Sequence, residues 1–149
     1  DCPDTIDYCL EMYEGANLIS FYGLPDDASI TNMMLSIEGI ATGVIGEGVA
    51  SHYSETAGWM GSLNSISPTA GYWVIVNDIS RLCIEEAIPT NTTIEYTINI
   101  GANLISFPDE GSIEISAGLP DDIEGSISGI IGEGMAANYL GLVLKIPAI

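Results

Sequence analysis

The heptapeptide Gly-Ala-Asn-Leu-Ile-Ser-Phe occurs twice, at Gly15–Phe21 and again at Gly101–Phe107. Around it, residues 15–53 and 101–139 align without a gap at an offset of 86, with 17 of 39 positions identical. The chain is therefore an internal duplication, and two copies of one unit point to a modular array rather than a unique catalytic cleft. The match reaches upstream as well. Thr5-Ile6-Asp7-Tyr8 parallels Thr93-Ile94-Glu95-Tyr96, with two extra residues before Gly15 in the first copy.

Each copy is expected to open on a strand. Tyr8, Leu10 and Met12 alternate with Cys9, Glu11 and Tyr13, and Ile94, Tyr96, Ile98 and Ile100 alternate with polar neighbours, the period of two of a half-buried strand. Gly15 or Gly101 breaks the run, and residues 17–21 or 103–107 read as a second, more buried strand. Asp27 as N-cap, then Ile30, Met33, Met34 and Ile37 at helical spacing, closed by Gly39, predicts one short amphipathic helix. In the second copy the corresponding helix is expected to be shorter and broken at Pro120. The segment GLPDD recurs at 23–27 and 118–122, out of register with the rest of the repeat, as a surface connection tolerates. Next, GVIGEGVASHY at 43–53 and GIIGEGMAANY at 129–139 read as hairpins turning at Gly-Glu-Gly.

Beyond this point the copies part. The first continues through Trp59–Leu63, a turn at Pro68–Gly71 and a strand at Tyr72–Val76, whereas the second runs directly into the apolar stretch Leu140–Ile149. If Tyr72–Val76 is integral to the fold, the second copy exposes a sheet edge for another chain or a further segment to fill. The alternative is that residues 142–149 close the lobe themselves. The fold expected is mainly β: two pseudo-repeated small lobes, each a barrel or compact sheet with one short helix. Residues 1–88 form the complete lobe and residues 89–149 the truncated one. The core is expected to draw on Leu18, Ile19, Phe21, Val44, Ile45, Trp59, Trp73 and Ile75 with the helix residues. In the second copy it draws on Leu104, Ile105, Phe107, Ile113, Ile123, Ile130 and Ile131.

Composition bounds the partners. Twenty-one acids face one Lys (Lys145) and one Arg (Arg81) among 149 residues, a net charge of −19. Such a surface repels phosphodiester backbones and anionic lipid headgroups, which excludes nucleic acid and membrane surfaces. It suits a secreted or cell-surface protein in salt, where screening over about 10 Å relieves self-repulsion. No stretch approaches the roughly 18 apolar residues of a membrane helix. A start at Asp1, with no Met and no leader, fits a mature or excised fragment of a longer precursor. Cys2, Cys9 and Cys83 allow one disulfide and leave one thiol over. Cys2 and Cys9 are closest in sequence, while Cys83 lies on an expected strand from which it reaches Cys9 across a sheet. A bridge involving Cys9 is favoured, against the alternative of three buried thiols.

Candidate chemistry is sparse. The Gly-rich segments 43–48 and 129–134 carry Glu at their tips and lack a nearby Lys, so they read as hairpin turns and not phosphate cradles. Asp26-Asp27 and Asp121-Asp122 are weak calcium candidates without an EF-hand spacing, and helix capping is the favoured account of the first pair. His52 is the only histidine, and the second copy has Asn138 in its place, so no repeat-level function depends on it. Lys145 is read as an ordinary snorkelling lysine. Trp59, Tyr72 and Trp73 are candidates for stacking on sugar rings, with core packing as the favoured reading. No cofactor is expected.

Taken together, GANLISF, GVIGEGVA, GWMGSL and GYWVIV resemble a repeat of large secreted or cell-surface proteins of marine bacteria and of some environmental viral sequences. There a GxNLISxP motif, a short helix, a Gly-rich turn, WxGSL and GYW occur in order. The resemblance implies an extracellular β-rich module strung in arrays, and it brings no activity or catalytic residue with it. The second copy departs from the pattern by lacking WxGSL and GYW. The functional expectation is a non-catalytic structural or adhesion module whose partners are neighbouring repeats or its own copies. The alternative is a carbohydrate-binding module using exposed aromatics. A hydrolase reading rests on nothing but the abundance of acids.

Overall fold

The structure, a computed structural model, describes residues 4–107, 125–133, 135–140 and 143–145. The chain divides into two compact units, Asp1–Glu110 and Gly111–Ile149. The division falls later than the repeat boundary at 88/89, because the opening of the second copy packs with the first.

In the first unit, β1 (Ile6–Met12), β3 (Gly23–Leu24) and β8 (Ser80–Pro89) form one antiparallel sheet in the order β1-β8-β3. The second sheet holds β2 (Gly15–Ile19), β4 (Ala41–Gly46), β5 (Val49–Ser54), β6 (Gly58–Gly61) and β7 (Tyr72–Val76), in the order β2-β7-β4-β5-β6. The mainly β expectation is met, but both sheets are open and neither closes into a barrel. Each turns one face to a common core. Tyr8, Met12, Leu82 and Ile84 enter it from the first sheet, and Ala41, Val44, Tyr72, Val74 and Val76 from the second. Burying a side chain the size of Val, Leu or Met stabilises by about 1.5–3 kcal/mol.

The core is completed by α1 (Ile30–Met33) and a 3-10 turn at Leu35–Ile37. The apolar stripe predicts one continuous helix; it is instead shared between these two short pieces, and Ile30, Met33, Met34 and Ile37 are all at most 5% exposed. The N-cap is Ser29 and not Asp27: the Ser29 hydroxyl accepts from the Asn32 amide at 3.3 Å. Asp27 acts just before it, its carboxylate accepting from the Ser29 amide and its carbonyl from the Asn32 side chain. Ser36 then clips the 3-10 turn to β8 by accepting from the Cys83 amide at 2.9 Å.

Two β-bulges correct the phase of the strands. Between Ile6 and Tyr8 the register shifts by one residue on β8, so that Ala87 faces the core together with Leu82 and Ile84. Glu86 absorbs the extra residue at φ 53°, and its amide donates to the Asp7 carboxylate at 2.9 Å. A left-handed conformation is strained for a residue with a Cβ. Glu86→Gly is therefore expected to raise stability by about 0.5–1 kcal/mol in urea unfolding, since the amide bond to Asp7 is retained. A loss of stability would contradict the strain. The second bulge, between Ala41 and Gly43 of β4, lifts Thr42 outward and leaves Ala41 and Val44 both on the core side.

Several expectations for the core are corrected by strand period. On β7 the inward residues are Tyr72, Val74 and Val76, so Trp73 and Ile75 lie on the opposite face, together with Leu18 and Ile45. The apolar run alone does not say which alternate set points inward. Ile19 and Trp59 are partly buried and pack against the core cluster.

The second copy departs further. Ile94–Ile100 forms no strand, and Ile98 and Ile100 are exposed. Residues 103–107 form no strand either, and meet the first copy through the bridge Ala70↔Ile105. Ile105 and Phe107 are exposed, against the expectation of burial. Around the bridge, the Gly71 amide donates to the Leu104 carbonyl, and the Ser106 amide to the Thr69 carbonyl. The Ser106 hydroxyl donates to the Pro68 carbonyl at 2.6 Å. Gly71 permits this approach, because a Cβ there would lie 2.7 Å from the Ile105 carbonyl oxygen.

The second unit contains β9 (Gly129–Gly132), β10 (Met135–Leu140) and β11 (Val143–Lys145) as one antiparallel sheet in the order β11-β10-β9. Ile131 is exposed and Ile130 half-buried. Ile113, Ile123 and the shorter second-copy helix at Pro120 lie outside the described residues.

Candidate functional site

The outward face of the five-stranded sheet is the surface of greatest functional interest. Leu18 of β2 stands opposite Trp73 of β7, and Trp73 opposite Ile45 of β4. Ile45 then pairs with Ala50 of β5, and His52 of β5 with Met60 of β6. These side chains share one face because paired residues in a sheet point the same way. Ile45 is 43% and Met60 47% exposed, and Trp73 is half-buried. In a chain with 21 acids, none of these paired positions carries one. Exposed apolar residues scattered singly are ordinary, whereas a contiguous patch marks a contact surface.

Within this face lies a shallow, open depression of about 320 Å³, lined by Thr42, Gly43, Ile45, Ala50, Ser51, His52 and Ile75. Gly43 is itself buried, and the Ser51 hydroxyl donates to the Leu63 carbonyl at 2.6 Å. The lining offers one titratable group, His52, with no partner acid beside it among those residues. Such a surface suits the packing of apolar groups or the C–H face of a sugar. It assembles no acid–base pair or nucleophile.

The three aromatic candidates are not brought together. Tyr72 is in the core, 2% exposed, its hydroxyl accepting from the Ser67 amide at 2.8 Å, and burial raises its pKa. Trp59 lies on the other side of the sheet from Trp73, with its ring centroid 5.5 Å from that of Tyr53. The Tyr53 hydroxyl donates to Glu38 at 3.0 Å, and that bond raises its pKa. Only Trp73 faces outward beside the depression. The sequence signal that locates it is the alternation of Tyr72-Trp73-Val74-Ile75-Val76, which places Trp73 with Ile75 once the inward set is known.

Among the metal candidates, Asp26 is exposed and Asp27 serves the turn before α1, where the hydrogen bonds from Ser29 lower its pKa. No group of three His, Cys, Asp or Glu side chains among the described residues is placed to hold a metal ion. Asp121 and Asp122 lie outside the described residues. The remaining strongly shifted group is Tyr8, whose pKa is raised by burial; its hydroxyl donates to the Gly23 carbonyl and its ring stacks on Tyr22 at 4.1 Å. These shifts have structural causes in packing and capping.

Cys9 and Cys83 form a disulfide across directly paired positions of β1 and β8, with Cα atoms 4.1 Å apart, the spacing of a narrow, non-hydrogen-bonded pair. Beside it, Arg81 bonds Glu11 at 2.7 Å, a solvent-exposed pair. Cys2 lies outside the described residues. No helix among the described residues is long and apolar enough to cross a membrane. Comparison of the chain with known protein families, with curated proteins and with solved structures found no match.

Proposed function

We propose that the protein is a non-catalytic structural or adhesion module of a secreted or cell-surface protein, one that packs against neighbouring repeats or further copies of itself. The observation that carries this reading is the acid-free apolar face of the five-stranded sheet in a chain of net charge −19. Charge disfavours contact over the acidic remainder of the surface, so that face is where contact is least opposed. The Cys9–Cys83 bridge supports an oxidising location outside the cytosol. The duplicated sequence supports a place in an array, and so does the hydrogen bonding of Ser106 and Phe107 onto Pro68 and Ser20 of the first copy.

Sedimentation equilibrium at about 0.5 M salt, where the screening length falls to about 4 Å, tests this reading. Concentration-dependent association is expected. Ile45→Glu, at an exposed position, is expected to abolish it while leaving the unfolding midpoint unchanged. A chain that stays monomeric at every concentration and fails to bind a tandem copy of itself would sink the proposal.

The carbohydrate-binding alternative keeps one supporting observation, the half-buried Trp73 beside an open depression. A glycan array discriminates between the two. The structural module is expected to bind no glycan. On the alternative, Trp73→Ala removes binding and Trp59→Ala, on the core side of the sheet, does not.

A further inference from the structure

By sequence, Gly129–Gly132 is Gly43–Gly46 displaced by 86 residues. The two hairpins have the same register under that displacement: Gly43↔His52 and Gly46↔Val49 in the first, Gly129↔Asn138 and Gly132↔Met135 in the second. β4 has another neighbour on its far side, where β7 pairs through Gly43↔Ile75, Val44↔Val74 and Ile45↔Trp73. Among the described residues β9 has β10 alone, and stands outermost in its sheet. The difference is visible on the side chains. Val44 is fully buried and Ile45 43% exposed, while Ile130 is half-buried and Ile131 81% exposed.

We propose that the outer edge of β9 is a strand-acceptor site. Its occupant is an antiparallel strand of β7 chemistry, Gly-Tyr-Trp-Val-Ile-Val or a close variant, carried by a repeat unit of a separate polypeptide. The first copy supplies the pattern for the register. The incoming Ile, Val and Trp lie opposite Gly129, Ile130 and Ile131, so the Trp covers the exposed Ile131. Backbone hydrogen bonds along the edge give affinity, and the alternate side chains give specificity. This chain's own β7 is not available for exchange, because Tyr72, Val74 and Val76 are at most 2% exposed between β2 and β4, and withdrawing them dismantles the core. Edge-to-edge pairing of two β9 strands brings only Gly-Ile-Ile-Gly to each face and leaves no aromatic over Ile131. Naming a repeat unit as the source rests on the modular reading above, whereas the acceptor edge itself does not.

The test uses the full chain and a synthetic peptide of residues 71–77 extended by two aspartates. A lysine tail would bind a chain of charge −19 indiscriminately. Saturable binding is expected, with hydrogen exchange slowed at residues 129–132. Ile131→Lys, at an exposed position, is expected to weaken binding about tenfold through loss of the Trp contact. A peptide N-methylated at alternate residues is expected not to bind, which separates strand addition from mere apolar adhesion. Three results overturn the proposal: no slowed exchange at 129–132 with peptide, full protection there without it, or protection that rises with the chain's own concentration as a dimer forms. Peptide failure alongside association abolished by Ile45→Glu removes the acceptor edge and leaves the module reading standing. Peptide binding by a chain that never associates does the reverse.

Discussion

Replacing Cys9 and Cys83 together by Ser is expected to lower the unfolding free energy by about 4 kcal/mol. The bridge joins residues 74 apart in sequence, and the chain-entropy relation for a loop of that size gives a loss of this order. For a unit of about a hundred residues this corresponds to a fall in melting midpoint on the order of 15–20 °C. Neither cysteine is buried, so little packing changes with the substitution and the effect reports the cross-link itself. Urea unfolding of the double variant and of the oxidised wild type at equal salt measures it. A difference under about 1 kcal/mol would mean that the two strands are held as well without the covalent tie.

The second large effect is a contrast between two identical heptapeptides. Phe21→Ala is expected to cost about 3–5 kcal/mol, because Phe21 is fully buried against the tilted ring of Tyr72 at 6.3 Å and its removal leaves a cavity. Phe107→Ala, at the same place in the second copy, is expected to cost under about 1 kcal/mol, since Phe107 is 36% exposed. Thermal unfolding of the two single variants side by side decides it. Equal costs would show that the second heptapeptide packs as the first does.

Much of the first copy is legible as pattern. The alternation at Tyr8, Leu10 and Met12, the Gly-Glu-Gly hairpin and the strand at Tyr72–Val76 each come from a period of two bounded by turn residues. Two kinds of feature are not. The bulges at Glu86 and Thr42 shift the phase within a strand, and no local composition announces them, because they answer to where the partner strand's side chains fall. The assignment of Trp73 outward and Tyr72 inward depends likewise on which sheet face meets Phe21 and the helix. For the candidate site, the sequence names Trp73 among its aromatic residues. The acid-free face emerges only when Leu18, Trp73, Ile45 and Met60, scattered over four strands, are brought side by side.

The two copies separate what is local from what is not. In the first, Asn17 accepts from the Tyr13 amide and donates to the carbonyls of Tyr13 and Gly15; in the second, Asn103 accepts from Asn99 and donates to Asn99 and Gly101. Gly15 and Gly101 hold φ of 103° and 105°. That clasp links residues four apart, so the heptapeptide and its neighbours specify it alone, and it forms alike in both surroundings. Beyond the clasp the copies differ: Asn17 also donates to the Val74 carbonyl, 57 residues away, and its segment becomes β2, while residues 103–107 settle beside Pro68–Gly71 without becoming a strand. A turn closes on its own atoms, but a strand exists only where another strand supplies its hydrogen bonds and a core receives its side chains, and in the first copy that partner is β7.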